Sequence, residues 1–521
     1  MMRNSHGQAM REVRQSRCRV LIKAAVAAAG ILTTVAAPSF ARADDSADVA
    51  VLREAVEANN AQAIERLRKW IALPTIAAEG LNLEQGPEYM MGLAREAGFR
   101  SVKRIDTEGV DGVFATLDVG APRWLGIYFM YDVKQFDASE WTSPPLEARI
   151  VDKAQYGKVM VARGGKNQKG PQSAFLAALH AFRAANKKPP VNIALICEGE
   201  EEIASPHFKQ IVSHPEVMPI LKMSEGLYVP GPFQDLQTGV VTFPLGAKGP
   251  VEVQLIVDGA HSGIGPRTDI HSSEKGRIDS PIWRLVQALA TLTSTDGNTP
   301  TLDGYMDNVR PLNAREKELI GQLAKSTSED ELKRRYGITH WIDNASYQDS
   351  IERLLSQPTI NLQGLVGGYT GPGGKTILPA RAEAKLDLRI VPNQTVAATL
   401  AQLRAHLDKR GFKDVQINVS GGYDATETAE SARIVQAALT AYRKMGVSVS
   451  LSPRLAGSWP GSLFTAPPLS IPAVPYGLGF GANEHAPDEF LVIESANPKV
   501  AGYLEATMGY VELLYAVAAA E

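Results

Sequence analysis

An acidic block in the first half of the chain is the feature that most directly suggests chemistry. Glu198, Glu200, Glu201 and Glu202 occur within five residues, directly after the apolar run 191–196. So many negative charges at the end of a strand are costly unless a cation or bound protons compensate for them. The block therefore indicates a metal-assisted hydrolase, although an isolated glutamate run is more often a solvated turn.

Three other segments carry polar residues of the kinds that serve in active sites. Tyr131-Asp132-Val133 follows an apolar run, residues 162–171 read Ala-Arg-Gly-Gly-Lys-Asn-Gln-Lys-Gly-Pro, and residues 483–489 read Asn-Glu-His-Ala-Pro-Asp-Glu. Ligands of open α/β sheets bind at the carboxyl ends of the strands. Asp132 and the acidic block both follow strand-like runs, so we expect them to lie at the same edge of a sheet.

Helices and short strands must position these residues. Helical spacing of apolar residues predicts helices over about 49–71, 86–97 and 169–185, and β-rich runs predict strands at 113–117, 124–130 and 191–196. Pro171 lies in the first turn of the third helix, where a missing N–H costs nothing. Strand, helix and strand joined by short connections predict an α/β fold with a parallel, helix-covered sheet.

The pattern changes near Val240. Alternating runs at 251–257 and 382–390 are typical of half-solvated strands, and helices are predicted near 281–292 and 395–410. A chain of 521 residues is too long for one ordinary core. We therefore expect an inserted α+β domain at 242–421, between the two parts of a first domain at 44–241 and 422–521.

Residues 1–43 are typical of an export signal. Basic residues precede an apolar stretch at 24–37, which is short for a bilayer span, and Ala41-Arg42-Ala43 offers a cleavage site. We expect a periplasmic or secreted protein with no membrane span after cleavage, rather than an anchored one. The net charge of −3 and the lack of a basic stripe argue against nucleic acid as a partner.

The four segments, taken in order, resemble the motifs of one family. This is the zinc aminopeptidase and aminoacylase group that includes carboxypeptidase G, acetylornithine deacetylase and the carnosinase-type dipeptidases. The segments resemble its H-x-D-V, G-R-G-x-x-D-x-K-G-P, E-G-x-E-E-x-G-S and H-x-P-N-E motifs. The resemblance implies a phosphorylase/hydrolase-like zinc-peptidase domain of α/β class, with an inserted α+β, ferredoxin-like dimerisation or lid domain.

The resemblance also implies roles for individual residues. In the family two zinc ions share a bridging aspartate and a water, which a glutamate deprotonates for attack on an amide carbonyl. Carried onto this chain, Glu201 is the general base, Glu202 and His485 are ligands of one zinc, and Asp132 steadies the site.

The departures from the family pattern fall on metal ligands. Met130 stands for the first histidine, Asn167 for the bridging aspartate, and Pro230 for a later aspartate. The ligands private to one metal are thus lost, while Glu202 and His485 remain. We expect at most one ion, zinc with manganese or cobalt as alternatives, held by Glu202, His485 and Asn167.

The resemblance implies further residues for substrate. Asp269-Ile270-His271-Ser272 resembles a D-x-H-S motif, whose histidine in carnosinase-like members reaches across a dimer to stabilise the oxyanion. His261 competes with His271 for this assignment. Thr376, Arg389 and Ser458 fall on substrate-contact positions, and Arg389 could grip a carboxylate with two hydrogen bonds.

Two hypotheses follow for function. The first is an exported, homodimeric hydrolase that cleaves an amide or peptide bond in a dipeptide or N-acyl amino acid. The second is a catalytically inactive homologue that binds a small molecule or peptide, which the residues Met130, Asn167 and Pro230 favour. The retained Glu201 and His271 favour the first.

Overall fold

The computed structural model describes residues 45–520. The predicted export signal at 1–43 lies outside the described residues. Within 45–520, none of the helices combines the length and the apolarity that crossing a bilayer requires.

Fourteen helices and twenty strands build the described part of the chain. The helices are α1 Asp45–Ile71, α2 Gln85–Ala97, α3 Lys169–Ala184, α4 Phe208–Val212, α5 Met218–Met223, α6 Gly259–Ser262, α7 Pro281–Leu289, α8 Ala314–Ser326, α9 Glu329–Tyr336, α10 Tyr347–Ser356, α11 Val396–Lys409, α12 Arg433–Lys444, α13 Ser462–Thr465 and α14 Tyr503–Ala519. The strands are β1 Ser101–Ile105, β2 Gly112–Leu117, β3 Trp124–Met130, β4 Arg149–Lys153, β5 Gly157–Val161, β6 Asn192–Glu198, β7 Ser224–Pro230, β8 Val241–Pro244, β9 Gly246–Ala247, β10 Gly249–Asp258, β11 Ile270–His271, β12 Thr359–Gly367, β13 Ile377–Leu378, β14 Arg381–Ile390, β15 Gln416–Gly422, β16 Thr426–Glu427, β17 Val449–Ser452, β18 Ala473–Tyr476, β19 Gly481–Ala482 and β20 Phe490–Ser495.

A six-stranded sheet with the order β1-β2-β6-β3-β7-β18 forms the centre of the first domain. Strands β6, β3, β7 and β18 are parallel, as the sequence predicts. The sheet is not parallel throughout, because β1 pairs with β2 and β2 with β6 in antiparallel fashion. The connection between β1 and β2 is too short for the crossover that a parallel pair needs.

Helices α1, α3 and α14 pack together in the core on one side of this sheet. The apolar face of α3 buries Phe175 and Phe182, and Phe175 lies edge to face with Phe129 of β3. The other face of the sheet contacts Phe208, Trp459 and Phe464. Because both faces are covered, β3 and β6 are apolar almost throughout. The glutamates that follow β6 are thus delivered to the edge of a rigid sheet.

A second sheet of four strands, β19-β20-β5-β4, joins two of the sequence motifs. Val161, at the end of β5, pairs with Phe490, at the start of β20. The loop that follows Val161 and the loop that precedes Phe490 therefore leave the sheet side by side. These are the segments 162–171 and 483–489, which lie more than 300 residues apart in the sequence.

The inserted segment has a sheet and a core of its own. Its antiparallel order is β12-β14-β10-β15, and its apolar core includes Val253, Leu386 and Leu403. Helices α8 to α10, which sequence reasoning did not identify, lie within it. Helix α8 contacts the first domain through a buried ion pair of 2.8 Å between Glu316 and Arg454.

Candidate active site

The strand ends of the central sheet and the inserted segment enclose a cavity of about 530 Å³. This volume lies within the range of roughly 300–1,000 Å³ that small-molecule sites occupy. Seven residues predicted from the sequence line it together: Met130, Asn167, Glu201, Glu202, Arg389, Ser458 and His485. The sequence motifs therefore converge on one cleft, although the roles assigned to these residues stay predictions.

The fold gives each glutamate of the acidic block a different environment. Glu198 points into the protein, where it accepts hydrogen bonds from Tyr128 (2.8 Å) and Ser205 (3.0 Å). Glu200 contacts His207 Nδ1 at 2.8 Å. Glu201 and Glu202 line the cleft. The four carboxylates of the acidic block therefore have separate partners, and two of them face the cleft.

Glu201 is the carboxylate best placed to act on a substrate. Its Oε1 lies 3.4 Å from the hydroxyl of Tyr423, which directly follows β15. Burial, and then the charges of Glu202 and Asp132, raise the pKa of Glu201 well above its ordinary value. A carboxylate of raised pKa is a stronger base when it is ionised.

Glu202, Asn167 and His485 form a triangle beside Glu201. The amide nitrogen of Asn167 donates to Glu202 Oε1 at 2.8 Å and lies 3.0 Å from His485 Nε2, while Glu202 Oε2 lies 3.1 Å from the same imidazole nitrogen. Burial opposes ionisation of Glu202, but the attraction of His485 outweighs it and lowers the pKa of that carboxyl. Burial also disfavours the protonated form of His485. The charge and hydrogen bond of Glu202 act in the opposite direction, and the pKa of the imidazole is raised. Each partner therefore favours the charged form of the other.

Lys134 adds a cation that sequence reasoning missed. Its ammonium donates to the backbone carbonyl of Glu202 and lies 3.8 Å from Glu202 Oε2. The side chain is 27% exposed and lines the cleft. The sequence feature that could have indicated Lys134 is its position two residues after Asp132, directly after the segment Tyr131-Asp132-Val133.

Asp132 lies in the protein interior and holds the backbone of the turn that carries the cleft glutamates. It is fully buried, its Oδ2 accepts the backbone N–H of Glu202 at 3.0 Å, and its Oδ1 has no hydrogen-bond partner within residues 45–520. Burial, and then the charge of Glu202, raise the pKa of Asp132 to about 7. Its contact orients the turn that carries Glu201 and Glu202, and the steadying role assigned to it from the sequence stays a prediction.

The raised pKa of Asp132 predicts how stability depends on pH. Between the unfolded pKa of about 4 and the folded pKa of about 7, Asp132 holds a proton in the native state that it lacks in the unfolded chain. The native protein therefore loses stability as pH rises through this range towards and through 7. In Asp132→Asn this loss cannot occur. The free energy of unfolding of the variant minus that of the native protein should therefore increase from pH 5 to pH 8, by roughly 1 kcal/mol per pH unit over the affected range. Urea denaturation at both pH values measures it, and a difference that stays constant or falls contradicts the prediction.

Glu489 ties together the two loops that carry Asn167 and His485. This buried carboxylate accepts hydrogen bonds from the backbone N–H groups of Lys166 (2.8 Å) and Asn167 (2.9 Å), and from Arg163 Nη1 at 2.6 Å. Arg163 also donates to the carbonyl of Ala486. Glu489 ends the fourth motif, but its sequence position alone did not reveal this role.

The residues of the cleft do not fit a two-metal centre. Met130 and Pro230 offer no carboxylate or imidazole, and Asn167 turns its NH₂ group towards Glu202 and His485. Within residues 45–520, no group of three or more histidine, cysteine, aspartate or glutamate side chains is placed to hold a metal ion. Glu202 and His485 supply two protein ligands, whereas catalytic zinc sites customarily have three. The prediction of at most one ion is compatible with this arrangement and stays a prediction.

Arg389 of the inserted sheet and Ser458 of the first domain contact each other in the cleft. Arg389 donates from Nε to Asp387 at 2.8 Å and from Nη1 to Ser458 Oγ at 2.6 Å, so its guanidinium is held in one orientation. Tyr128 and Trp459 supply aromatic walls. The cleft therefore combines a fixed cation, a paired carboxylate set and apolar surface.

Besides the buried Asp132, three predicted residues are not among those lining the cleft of their own chain. His271 and Thr376 are both exposed. Strand β11, which ends at His271, pairs with β13, which begins directly after Thr376. The backbone N–H of Ser272 donates to the carbonyl of Thr376 at 2.8 Å. Their predicted roles would require a second copy of the chain. Pro230 is buried at the end of β7, between the cleft residues Val229 and Gly231.

Comparisons with known proteins agree with this architecture. Residues 257–415 match the model of the peptidase dimerisation domain of the M20 family. A metallo-carboxypeptidase of that family from Sulfolobus solfataricus is 30% identical, with a TM-score of 0.75 over 88% of this chain and 99% of that one. A di-peptidase, Dug1p, from Saccharomyces cerevisiae has a TM-score of 0.77 at 19% identity, over 90% of this chain and 98% of that one.

Curated relatives are similar over shorter stretches. The Cys-Gly metallodipeptidase of Saccharomyces cerevisiae is 24% identical over 376 residues, which are 68% of this chain and 74% of the relative. The human Beta-Ala-His dipeptidase is 27% identical over 291 residues, which are 54% of this chain and 52% of the relative.

A helix-covered α/β sheet whose strand ends meet an inserted α+β domain over a cleft of paired carboxylates is the architecture of a metallopeptidase. The fold class predicted from the sequence is confirmed. The chain belongs to the M20 family of metallopeptidases, and the resemblance to its carnosinase-type dipeptidases is likewise confirmed.

Proposed function

We propose that this protein is a hydrolase that cleaves the amide bond of a dipeptide or N-acyl amino acid in the described cleft, with at most one metal ion at Glu202 and His485. The observation that carries the proposal is the position of Glu201. It is a carboxylate of raised pKa that faces a cavity of about 530 Å³, which the fixed guanidinium of Arg389 also lines. The relatives whose names describe dipeptidases support the substrate class.

The residues present suggest how the bond is cleaved. Arg389 and Ser458 bind the carboxylate of the substrate, which places the scissile carbonyl over Glu201. Glu201 takes a proton from a water molecule, the water oxygen bonds to the carbonyl carbon, and the proton passes to the departing nitrogen as the C–N bond breaks. Asp132 keeps Glu201 oriented by holding the N–H of the next residue.

A substrate panel tests the proposal. Purified protein, incubated with dipeptides and N-acyl amino acids, with and without added zinc, manganese or cobalt, should release a free amine from at least one compound. Mass spectrometry of the products identifies the bond that is cleaved. Absence of turnover across the panel, with native-like folding, would contradict hydrolysis.

Arg389 should decide which end of the substrate is recognised. A charge-assisted hydrogen bond to a carboxylate contributes about 1.5–3 kcal/mol, so Arg389→Met should raise KM for dipeptides with a free C-terminus roughly 10- to 100-fold. The same peptides with an amidated C-terminus should be affected much less. Comparison of KM for free and amidated peptides measures this, and equal effects on both would contradict the assignment.

Binding without turnover is the second candidate. It is favoured by Met130 and Asn167, because both line the cleft at positions where the family pattern has metal ligands. Under this candidate, a dipeptide raises the melting temperature of the protein but remains intact after prolonged incubation.

We also propose that the protein is exported and acts as a homodimer. The sequence of residues 1–43 supports export. Strand β12 is an edge of the inserted sheet and exposes Leu362, Leu365 and Val366, which supports pairing with a second copy. Analytical ultracentrifugation of the mature chain tests the dimer, and fractionation of expressing cells tests export.

A further inference from the structure

Lys134 is the one cleft residue whose charge opposes the paired carboxylates without another side chain engaging it closely. Lys166 contacts Glu484, and Arg389 is fixed by Asp387 and Ser458. Lys134 instead bonds to the backbone carbonyl of Glu202, and its ammonium remains 3.8 Å from the carboxylate of the same residue.

The charges around the cleft favour a cation there in addition to His485. Glu201 and Glu202 are adjacent, Asp132 lies directly beneath them, and Glu252 lines the same cavity. Adjacent carboxylates repel one another unless a positive group compensates for them. A divalent ion would need ligands that Met130 and Asn167 do not supply.

Two hydrogen-bond donors, one neutral and one cationic, lie beside the carboxylate of Glu202. The amide of Asn167 donates between Glu202 and His485, and the ammonium of Lys134 approaches the same carboxylate. An ammonium group carries three N–H donors and no acceptor. One of those donors bonds to the backbone carbonyl of Glu202, and the side chain is partly exposed to the cleft, so a further N–H can reach a ligand oxygen.

We propose that Lys134 replaces the metal cation of this cleft: its ammonium compensates the charge of Glu202 and donates to a carbonyl or carboxylate oxygen of the ligand, so that the ligand binds without a divalent ion. The donation to a ligand oxygen rests on the proposed function, which supplies the class of ligand. The compensation of Glu202 by Lys134 does not, because it involves only residues of the protein. In the hydrolytic reaction, Lys134 would polarise the carbonyl that water attacks.

Zinc content is the first test. The full chain, dialysed against micromolar zinc and then against zinc-free buffer, should retain less than about 0.1 ion per chain by elemental analysis. One ion per chain that His485→Ala removes would overturn the proposal. This measurement does not depend on turnover, so it decides the role of Lys134 even if no substrate is cleaved.

Ligand affinity is the second test. Dipeptides that raise the melting temperature should do so equally with and without EDTA, and Lys134→Met should weaken the dissociation constant measured by calorimetry about tenfold or more. Lys134→Arg, which keeps the charge, should retain part of the affinity. Lys158→Met is the matched control, because Lys158 pairs with Glu494 outside the cleft. Binding that EDTA abolishes, or that Lys134→Met leaves unchanged, would overturn the proposal. If no dipeptide binds at all, the proposed function fails, and the zinc content alone judges Lys134.

Discussion

Replacement of Glu201 by glutamine should abolish hydrolysis while the ligand still binds. Glutamine keeps the shape of the side chain but cannot accept a proton from water, and loss of a general base lowers kcat by about 10²- to 10⁴-fold. KM should change little, because Arg389 and Ser458 rather than Glu201 are expected to hold the substrate. Steady-state kinetics on any compound that the native protein cleaves measures both constants.

Glu200→Gln is the control for this variant. Glu200 belongs to the same acidic block, but its carboxylate contacts His207 and is not among the residues that line the cleft. It should retain most of the native kcat. If Glu201→Gln were as active as the native protein, another group would have to activate the water. If the native protein and Glu201→Gln bind dipeptides equally and neither cleaves them, the binding candidate is favoured.

Loss of Glu489 should have the largest effect on stability. Glu489 and Arg163 are both buried, and their ion pair measures 2.6 Å. Removal of one partner leaves the other charge buried without compensation, which costs about 3–5 kcal/mol. Glu489→Ala should lower the free energy of unfolding by this amount and should also release the loops that carry Asn167 and His485. Urea denaturation measures the first effect, and dipeptide affinity measures the second.

Two comparisons make this prediction specific. The double variant Arg163→Met with Glu489→Leu should be more stable than Glu489→Ala, because no charge is left unpaired. Glu494→Gln removes an exposed ion pair with Lys158 between strands of the same sheet and should change stability little. If Glu489→Ala behaved like Glu494→Gln, the buried pair would not organise the site.

Much of the fold could be predicted because its signals are local. The run from Trp124 to Met130 is apolar throughout and forms β3 with those bounds, and Pro171 correctly placed the start of α3. Of the missed helices, α9 is mostly charged and buries no residue, so it offers no apolar face that a sequence pattern could reveal. The antiparallel start of the central sheet was missed because strand direction depends on pairing partners rather than on the apolar pattern.

The candidate site divides in the same way. Sequence motifs identified Glu201, Glu202 and His485, and the cleft contains all three. Lys134 and Glu489 were not identified, since a lysine after a strand and a glutamate at the end of a motif have no periodicity that separates them from surface residues. Tyr423 was missed for a related reason: its contact with Glu201 links positions 222 residues apart.

Residue types alone led to the prediction that this chain keeps the base and two ligands of a metallopeptidase but lacks the ligands of a second metal, because an amide, a thioether and a proline ring cannot become carboxylates or imidazoles. Only the tertiary structure decided how the remaining charges are compensated. The ammonium of Lys134 comes near Glu202 because β3 and β6 are parallel neighbours whose ends lie at one edge of the sheet. Such proximity arises from strand order and packing, which no local sequence pattern encodes.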